Sequence, residues 1–255
     1  LNIFNLGQPI SVTSWYSSAI SLQTFGAETK MKDDLKSLVH IPADSITVAG
    51  MLELPANAYG LVLFAHGSGS SRLSARNNHV AAVPRQAGLG TLLIDLLTVE
   101  EDRHYQTRFD IDLLARRLDS AVAWLHIQDA TAGLPLGLFG ASTGAAAALR
   151  VAAKRPSELT ALVSRGGRPD LAGKDSLAAV RTPCLLIVGG DDHGVIELNQ
   201  QAYGLLHGEK RLAIVPGATH LFEEPGKLDE VAMLAAHWFE YHFREAGQKA
   251  AGREA

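Results

Sequence analysis

The sequence predicts an α/β fold: a mostly parallel, doubly wound sheet with helices on both faces. Three observations carry that expectation. From Leu61 onward, short apolar runs alternate with longer stretches of helical period. The runs are continuously apolar, as in Leu61-Val62-Leu63-Phe64-Ala65, which suits strands covered on both faces. Most runs also end in polar, reactive side chains, and parallel sheets gather function at the carboxyl ends of their strands.

Bulk composition bounds the answer. A chain of 255 residues, 47% of them apolar, can bury one large domain, or at most two small ones. The formal net charge is -4 and the basic residues are scattered, so a nucleic-acid footprint is not expected. No apolar run approaches the ~18–20 residues that span a bilayer. The single cysteine, Cys184, excludes an internal disulfide. Its place in Thr182-Pro183-Cys184-Leu185-Leu186-Ile187-Val188 reads as a buried structural thiol.

Taken in order, residues 1–30 are rich in Ser, Thr and Gln and carry no Lys or Arg before Lys30. They lack the basic start and compact apolar run of a secretory signal. The reading is a peripheral N-terminal extension (1–30), one domain (31–246) and a disordered tail (247–255). Leu38–Ile41 and Ile46–Leu54 read as an antiparallel edge hairpin around Pro42-Ala43-Asp44. Then come strand Leu61–Ala65, a helix around Asn77–Gln86 and strand Thr91–Leu96. Phe109–Leu125 carries Leu114, Leu118, Val122 and Leu125 at helical spacing. Leu136–Ala141 is a strand running into an alanine-rich helix. Leu159–Val163 (strand), Cys184–Val188 (strand), Val195–Leu206 (helix), Arg211–Val215 (strand) and Leu228–His242 (helix) complete the alternation.

The strand ends hold the chemistry. One run ends in Gly140-Ala141-Ser142-Thr143-Gly144, where a G-x-S-x-G turn forces a serine onto a sharp strand-to-helix bend. Chance alone supplies that pattern in roughly one such chain in seven, so the other ends must decide. They offer His66-Gly67-Ser68-Gly69, Asp95, Ser164-Arg165-Gly166-Gly167-Arg168, Gly189-Gly190-Asp191-Asp192-His193 and Gly217-Ala218-Thr219-His220. A serine hydroxyl needs an adjacent base, and a histidine can take and return its proton. A tetrahedral intermediate needs two N–H donors: Thr143, directly after the serine, and Ser68 from the loop after the first buried strand, with Gly69 as second choice. Asp192 also has an alternative reading as the N-cap of the helix at Val195, an ambiguity Asp191 shares. His66 reads as a loop anchor, and Asp95 with Glu100-Glu101-Asp102 as loop and solvated-face residues. The remaining histidines lack metal-ligand spacing.

In their order Ser, Asp, His, these stations resemble the α/β-hydrolase fold, and more narrowly the dienelactone-hydrolase-related esterases, over roughly Leu38–Phe243. The resemblance implies Ser142 as nucleophile, Asp192 as acid and His220 as base. Asp192 is preferred over Asp191 because the family usually places its acid three residues after the glycine closing that strand, here Gly189. Gly217-Ala218-Thr219-His220-Leu221-Phe222 matches the family's histidine loop. Dienelactone hydrolases proper carry a cysteine at the elbow; the serine here points to ordinary carboxylic esters.

Arg165 and Arg168 follow a strand beside the nucleophile strand, and either guanidinium suits an acidic group of a substrate. The alternative is a salt bridge to Asp170. Between Arg165 and Pro183 the chain is too short for a large cap domain. The expectation is a carboxylesterase-type serine hydrolase of small esters, with no metal or cofactor, no nucleic-acid or membrane partner, and a cytoplasmic setting. A homodimer is among the expected assemblies. The alternatives are a thioesterase, lactonase or dienelactone-type hydrolase of the same fold, or a binding protein without catalysis.

Overall fold

A computed structural model describes residues 34–252 of the chain. In chain order the elements are β1 (Leu35–Ala43), β2 (Ile46–Leu54), β3 (Leu61–Ala65), α1 (Ala75–Gln86), β4 (Gly90–Ile94), α2 (Val99–Asp102) and α3 (Ile111–His126). There follow β5 (Leu136–Ala141), α4 (Thr143–Lys154), β6 (Ala161–Arg165), α5 (Lys174–Ala179), β7 (Cys184–Gly189), α6 (His193–Leu205), β8 (Lys210–Val215) and α7 (Lys227–Ala251).

The eight strands form one sheet in the order β1-β2-β4-β3-β5-β6-β7-β8. β1 pairs antiparallel with β2, and β2 antiparallel with β4; every later pairing is parallel. The hairpin read from the sequence is present and turns at Asp44, whose φ is 53°. Along β3, alternate side chains enter opposite layers. Leu61, Leu63 and Ala65 pack with the buried stripe of α3 and with α4, while Val62 and Phe64 pack with residues of α1 and α7. Phe64 stacks on Phe139 of β5 with ring centroids 4.7 Å apart. The alanines of α4 let that helix approach the sheet closely, so Thr143–Leu149 is buried without a break.

Among the boundaries that differ from the sequence reading are those of β6 and α7. The strand expected at Leu159–Val163 runs instead over Ala161–Arg165, which puts Arg165 inside the sheet opposite Ala141. The helix expected to stop near His242 continues through Gly247 to Ala251, into the stretch read as a disordered tail. Good helix formers and a Glu245–Lys249 pair one turn apart carry it on. The extension read at residues 1–30 lies outside the described residues. Between Arg165 and Pro183 there is only a 3-10 turn, Pro169–Ala172, and the short α5, so this stretch holds no cap domain. Among the described residues no helix is long and apolar enough to cross a membrane. Cys184 is fully enclosed in β7, and burial pushes its thiol up to about 12.

Candidate active site

Ser142 stands between β5 and α4 at φ 50° and ψ -118°, a conformation that costs a non-glycine residue about 1–3 kcal/mol. The flanking glycines explain how the chain reaches it. A Cβ at Gly140 would strike the backbone of Ala145, and one at Gly144 the carbonyl oxygens of Ala65 and His66. The bend is further tied to β6: the Ser142 N–H donates to Arg165 O at 3.2 Å, and the Arg168 N–H to Ser142 O at 3.2 Å. Thr143 is the first residue of α4, so its N–H has no partner within the helix.

A cavity of about 170 Å³ opens beside this serine, and Ser142, Ser68, Arg76, Arg165 and His220 all contribute to its wall. His220 comes from the loop after β8. Its Nδ1 lies 2.7 Å from Oδ2 of Asp192, which follows β7. Asp192 occupies the N-cap position of α6, yet its carboxylate caps no N–H there. The side chain is turned to the imidazole instead. Asp191 is exposed, and its N–H donates to Ala218 O at 3.0 Å; it is the Asp192 carboxylate that meets the imidazole.

The loop after β3 passes close to the serine: a Cβ on Gly67 would sit 3.0 Å from Ser142 Cβ. His66 fixes this loop. Its Nε2 accepts the Leu96 N–H at 2.9 Å, which leaves Nδ1–H to donate to Gly67 O at 2.9 Å. Burial holds its pKa below the ordinary value, and a neutral ring is what this pair of bonds requires. Asp95 adds a second tie. Its carboxylate accepts the Arg72 N–H at 2.7 Å and pairs with the Arg72 guanidinium. Gly69 stands apart from the cavity wall and faces the Arg108 guanidinium, with φ 65°. The acidic run after β4 is also more than a solvated face, since Glu101 caps α2 and bonds the buried Arg117 at 3.1 Å.

The two candidate arginines separate cleanly. Arg168 is half-buried and forms a fork with Asp170, at 2.9 and 2.7 Å, away from the cavity. Arg165 is 7% exposed and lines the cavity, and its Nε and Nη1 have no hydrogen-bond partner among the described residues. Arg76, at the start of α1, lines the same cavity, and the sequence reading passed over it. Its Nη1 bonds Glu223 Oε1 at 2.8 Å, while its Nε is buried without a hydrogen-bond partner among the described residues. A basic residue just after the Gly-Ser loop, opening a helix, was the available signal. Among the described residues no group of three or more His, Cys, Asp or Glu is placed to hold a metal ion.

An eight-stranded, mostly parallel sheet with a strained serine at a strand-to-helix bend, and no large cap domain among the described residues, defines an α/β hydrolase. The comparisons with known proteins agree. A dienelactone hydrolase from Anabaena variabilis is 52% identical, covers 82% of this chain and is itself 99% covered, with a TM-score of 0.79. The chain therefore belongs to the dienelactone-hydrolase family of the α/β hydrolases. Two remoter structures share the fold. Est1E from Butyrivibrio proteoclasticus (15% identity, TM-score 0.69) covers 81% of this chain and is 99% covered. XC6422 from Xanthomonas campestris, described as an α/β serine hydrolase without a lid (22% identity, TM-score 0.67), covers 81% and is 94% covered. A Mycobacterium tuberculosis protein provisionally named phosphoribosyl transferase is 57% identical over 204 residues, which is 80% of this chain but 46% of that protein. The chain thus spans about half the length of the curated relatives it matches. No family model matches it.

Proposed function

We propose that this chain is a serine hydrolase that cleaves small carboxylic esters through an acyl-enzyme. One observation carries the reading: His220 is bonded to Asp192 at 2.7 Å and shares a cavity wall with the strained Ser142. The Asp192 carboxylate accepts a hydrogen bond from Nδ1–H, which holds that proton on the ring and leaves Nε2 as the basic nitrogen. In acylation, Ser142 Oγ attacks the ester carbon while Nε2 takes its proton. The developing oxyanion is received by the N–H groups of Thr143 and Ser68. The tetrahedral adduct then collapses, the proton passes from Nε2 to the alcohol oxygen, and the alcohol leaves. Water repeats the sequence: it gives one proton to His220 and attacks the acyl carbon. The free acid departs as Ser142 regains its proton.

Labelling with a fluorophosphonate tests the assignment. Wild-type protein is expected to be modified on Ser142, and Ser142→Ala to lose labelling together with esterase turnover, on the order of 10⁴–10⁶-fold. Modification elsewhere, or turnover retained by Ser142→Ala, would overturn it.

The 52% identical dienelactone hydrolase favours a second reading within the same chemistry, ring opening of a lactone. A panel of alkyl esters, thioesters and lactones separates the two by relative kcat/KM. The transferase name belongs to a protein of which more than half lies outside the match, so it gives this domain no reaction of its own.

A further inference from the structure

We propose that the cavity beside Ser142 takes an acyl group ending in a carboxylate, which Arg165 holds with help from Arg76, so that the preferred substrates are short half-esters of dicarboxylic acids. This rests on the serine-hydrolase reading and adds a substrate class to it.

Arg165 carries the inference. It is 7% exposed, and its Nε and Nη1 have no partner among the described residues, although it lines the cavity shared by Ser142 and His220. Guanidinium groups enter protein interiors paired with acids, because a buried charge without a partner is strongly disfavoured. Arg168, three residues on, has such a partner in Asp170 and stays outside the cavity. The missing acid beside Arg165 is best supplied by whatever occupies the cavity. Burial, with the charge of Arg76 adding to it, pushes the Arg165 pKa down to about 10, so the group is still a cation at neutral pH.

Charge and shape narrow the ligand. Arg165 and Arg76 bring two positive charges, and Glu223 already answers one through its bond to Arg76. A single negative charge completes the balance, as a carboxylate does; a phosphate monoester would bring closer to two. The cavity, at about 170 Å³, is smaller than typical drug-sized pockets and suits a chain of a few carbons. The polarity of the site puts the anion on the acyl side. His220, which must protonate the departing alcohol, has a side chain 37% exposed, whereas Arg165 is 7% exposed and so marks the more enclosed part of the wall. The alcohol must leave first while the acyl group stays attached to Ser142. The enclosed end therefore belongs to the acyl chain.

Monomethyl glutarate and its neutral analogue methyl pentanoate, followed by acid release in a pH-stat, give the test. Wild-type protein is expected to favour the half-ester by tenfold or more in kcat/KM, and Arg165→Met to bring that ratio to about one. Fluorophosphonate labelling of Ser142 reports that the variant site is still assembled. A second arm measures glutarate binding calorimetrically to Ser142→Ala, with and without Arg165→Met or Arg76→Gln. Binding that both arginine changes weaken supports the proposal. A wild-type preference for the neutral ester, a ratio unmoved by Arg165→Met, or glutarate binding that is absent or indifferent to both arginines would overturn it. If instead Ser142 is unlabelled and neither ester is cleaved, the hydrolase reading fails, and the calorimetric arm still decides whether the anion site exists.

Discussion

Ser142 is set in place by backbone and carbon, whereas His220 is set in place by charges and hydroxyls near the surface. Around the serine, the carbonyls of Ala65 and His66 crowd the site of Gly144, and the whole first half of α4 is buried. Around the histidine, the Thr219 hydroxyl donates to Glu224 at 2.6 Å, Arg76 reaches Glu223 at 2.8 Å, and Asp192 grips the ring. Phe222, fully buried at φ 58°, anchors that loop in the core together with Ala218. The Thr219 hydroxyl also holds the Glu224 carboxylate below its ordinary pKa. Packing is stiff and indifferent to salt; exposed polar contacts are individually weak and screened. Ser142 is thus fixed by contacts that salt does not reach, and His220 by contacts that salt can weaken.

Gly144→Ala tests the packed side most severely. Alanine in a helix is favoured over glycine by up to about 1 kcal/mol. Overlap with two backbone carbonyl oxygens costs about 1–3 kcal/mol or more, because neither oxygen can rotate away. The clash wins. A lowered Tm is expected, with fluorophosphonate labelling of Ser142 slowed on the order of 10²-fold by misplacement of its hydroxyl. A variant as stable and as quickly labelled as wild type would show that the elbow yields, and the contrast with the histidine loop would collapse.

The same contrast decides what the amino-acid sequence reveals. Strand ends and helical periods were legible because burial on both faces of a parallel sheet imposes unbroken apolar runs, as in Leu61–Ala65, and one-sided burial imposes the period of Leu114, Leu118, Val122 and Leu125. The G-x-S-x-G bend was legible because its glycines answer a local steric demand. Asp191 and Asp192 remained a choice of two, since both follow Gly189; a tight turn, with the Asp192 N–H on Gly189 O, brings Asp192 to the imidazole. Arg76 was not legible at all. Its approach to Arg165 depends on how α1 sits over the loop after β3, and no spacing in the chain encodes that. The continuation of α7 past Gly247 was missed because one glycine outweighed the helix formers around it.

His66 offers a test of intermediate size, because it belongs to the packed side yet titrates. Replacing it by phenylalanine strands the Leu96 N–H and the Gly67 carbonyl, at about 1–3 kcal/mol at pH 8. Its pKa in the folded protein lies below the ordinary 6.5, so below that pH the unfolded chain binds the proton first. Stability that is fully present above 6.5 is therefore lost as pH falls toward the folded value. Tm measured from pH 8 to pH 5 should fall less steeply in His66→Phe than in wild type. Some slope will persist, since burial lowers His242 in the same direction. Identical slopes would mean that the ring does not stay neutral between its two backbone partners.

The smallest expected effect lies on the polar side, at Glu223. Its bond to Arg76 is exposed, with side-chain accessibilities of 60% and 37%, so breaking it costs no more than about 1 kcal/mol. Two consequences oppose each other in Glu223→Gln. The histidine loop loses one tie, which lowers kcat slightly; Arg76 loses its competing carboxylate, which favours an anionic acyl chain. The loop keeps Phe222, the Thr219–Glu224 bond and Asp192, so the second consequence should win. KM for monomethyl glutarate is expected to fall about two- to fivefold, with methyl pentanoate unmoved and the difference shrinking as salt is added. A rise in KM for both esters alike would instead make Glu223 a structural brace, and would place the histidine loop closer in character to the packed elbow than its exposed bonds suggest.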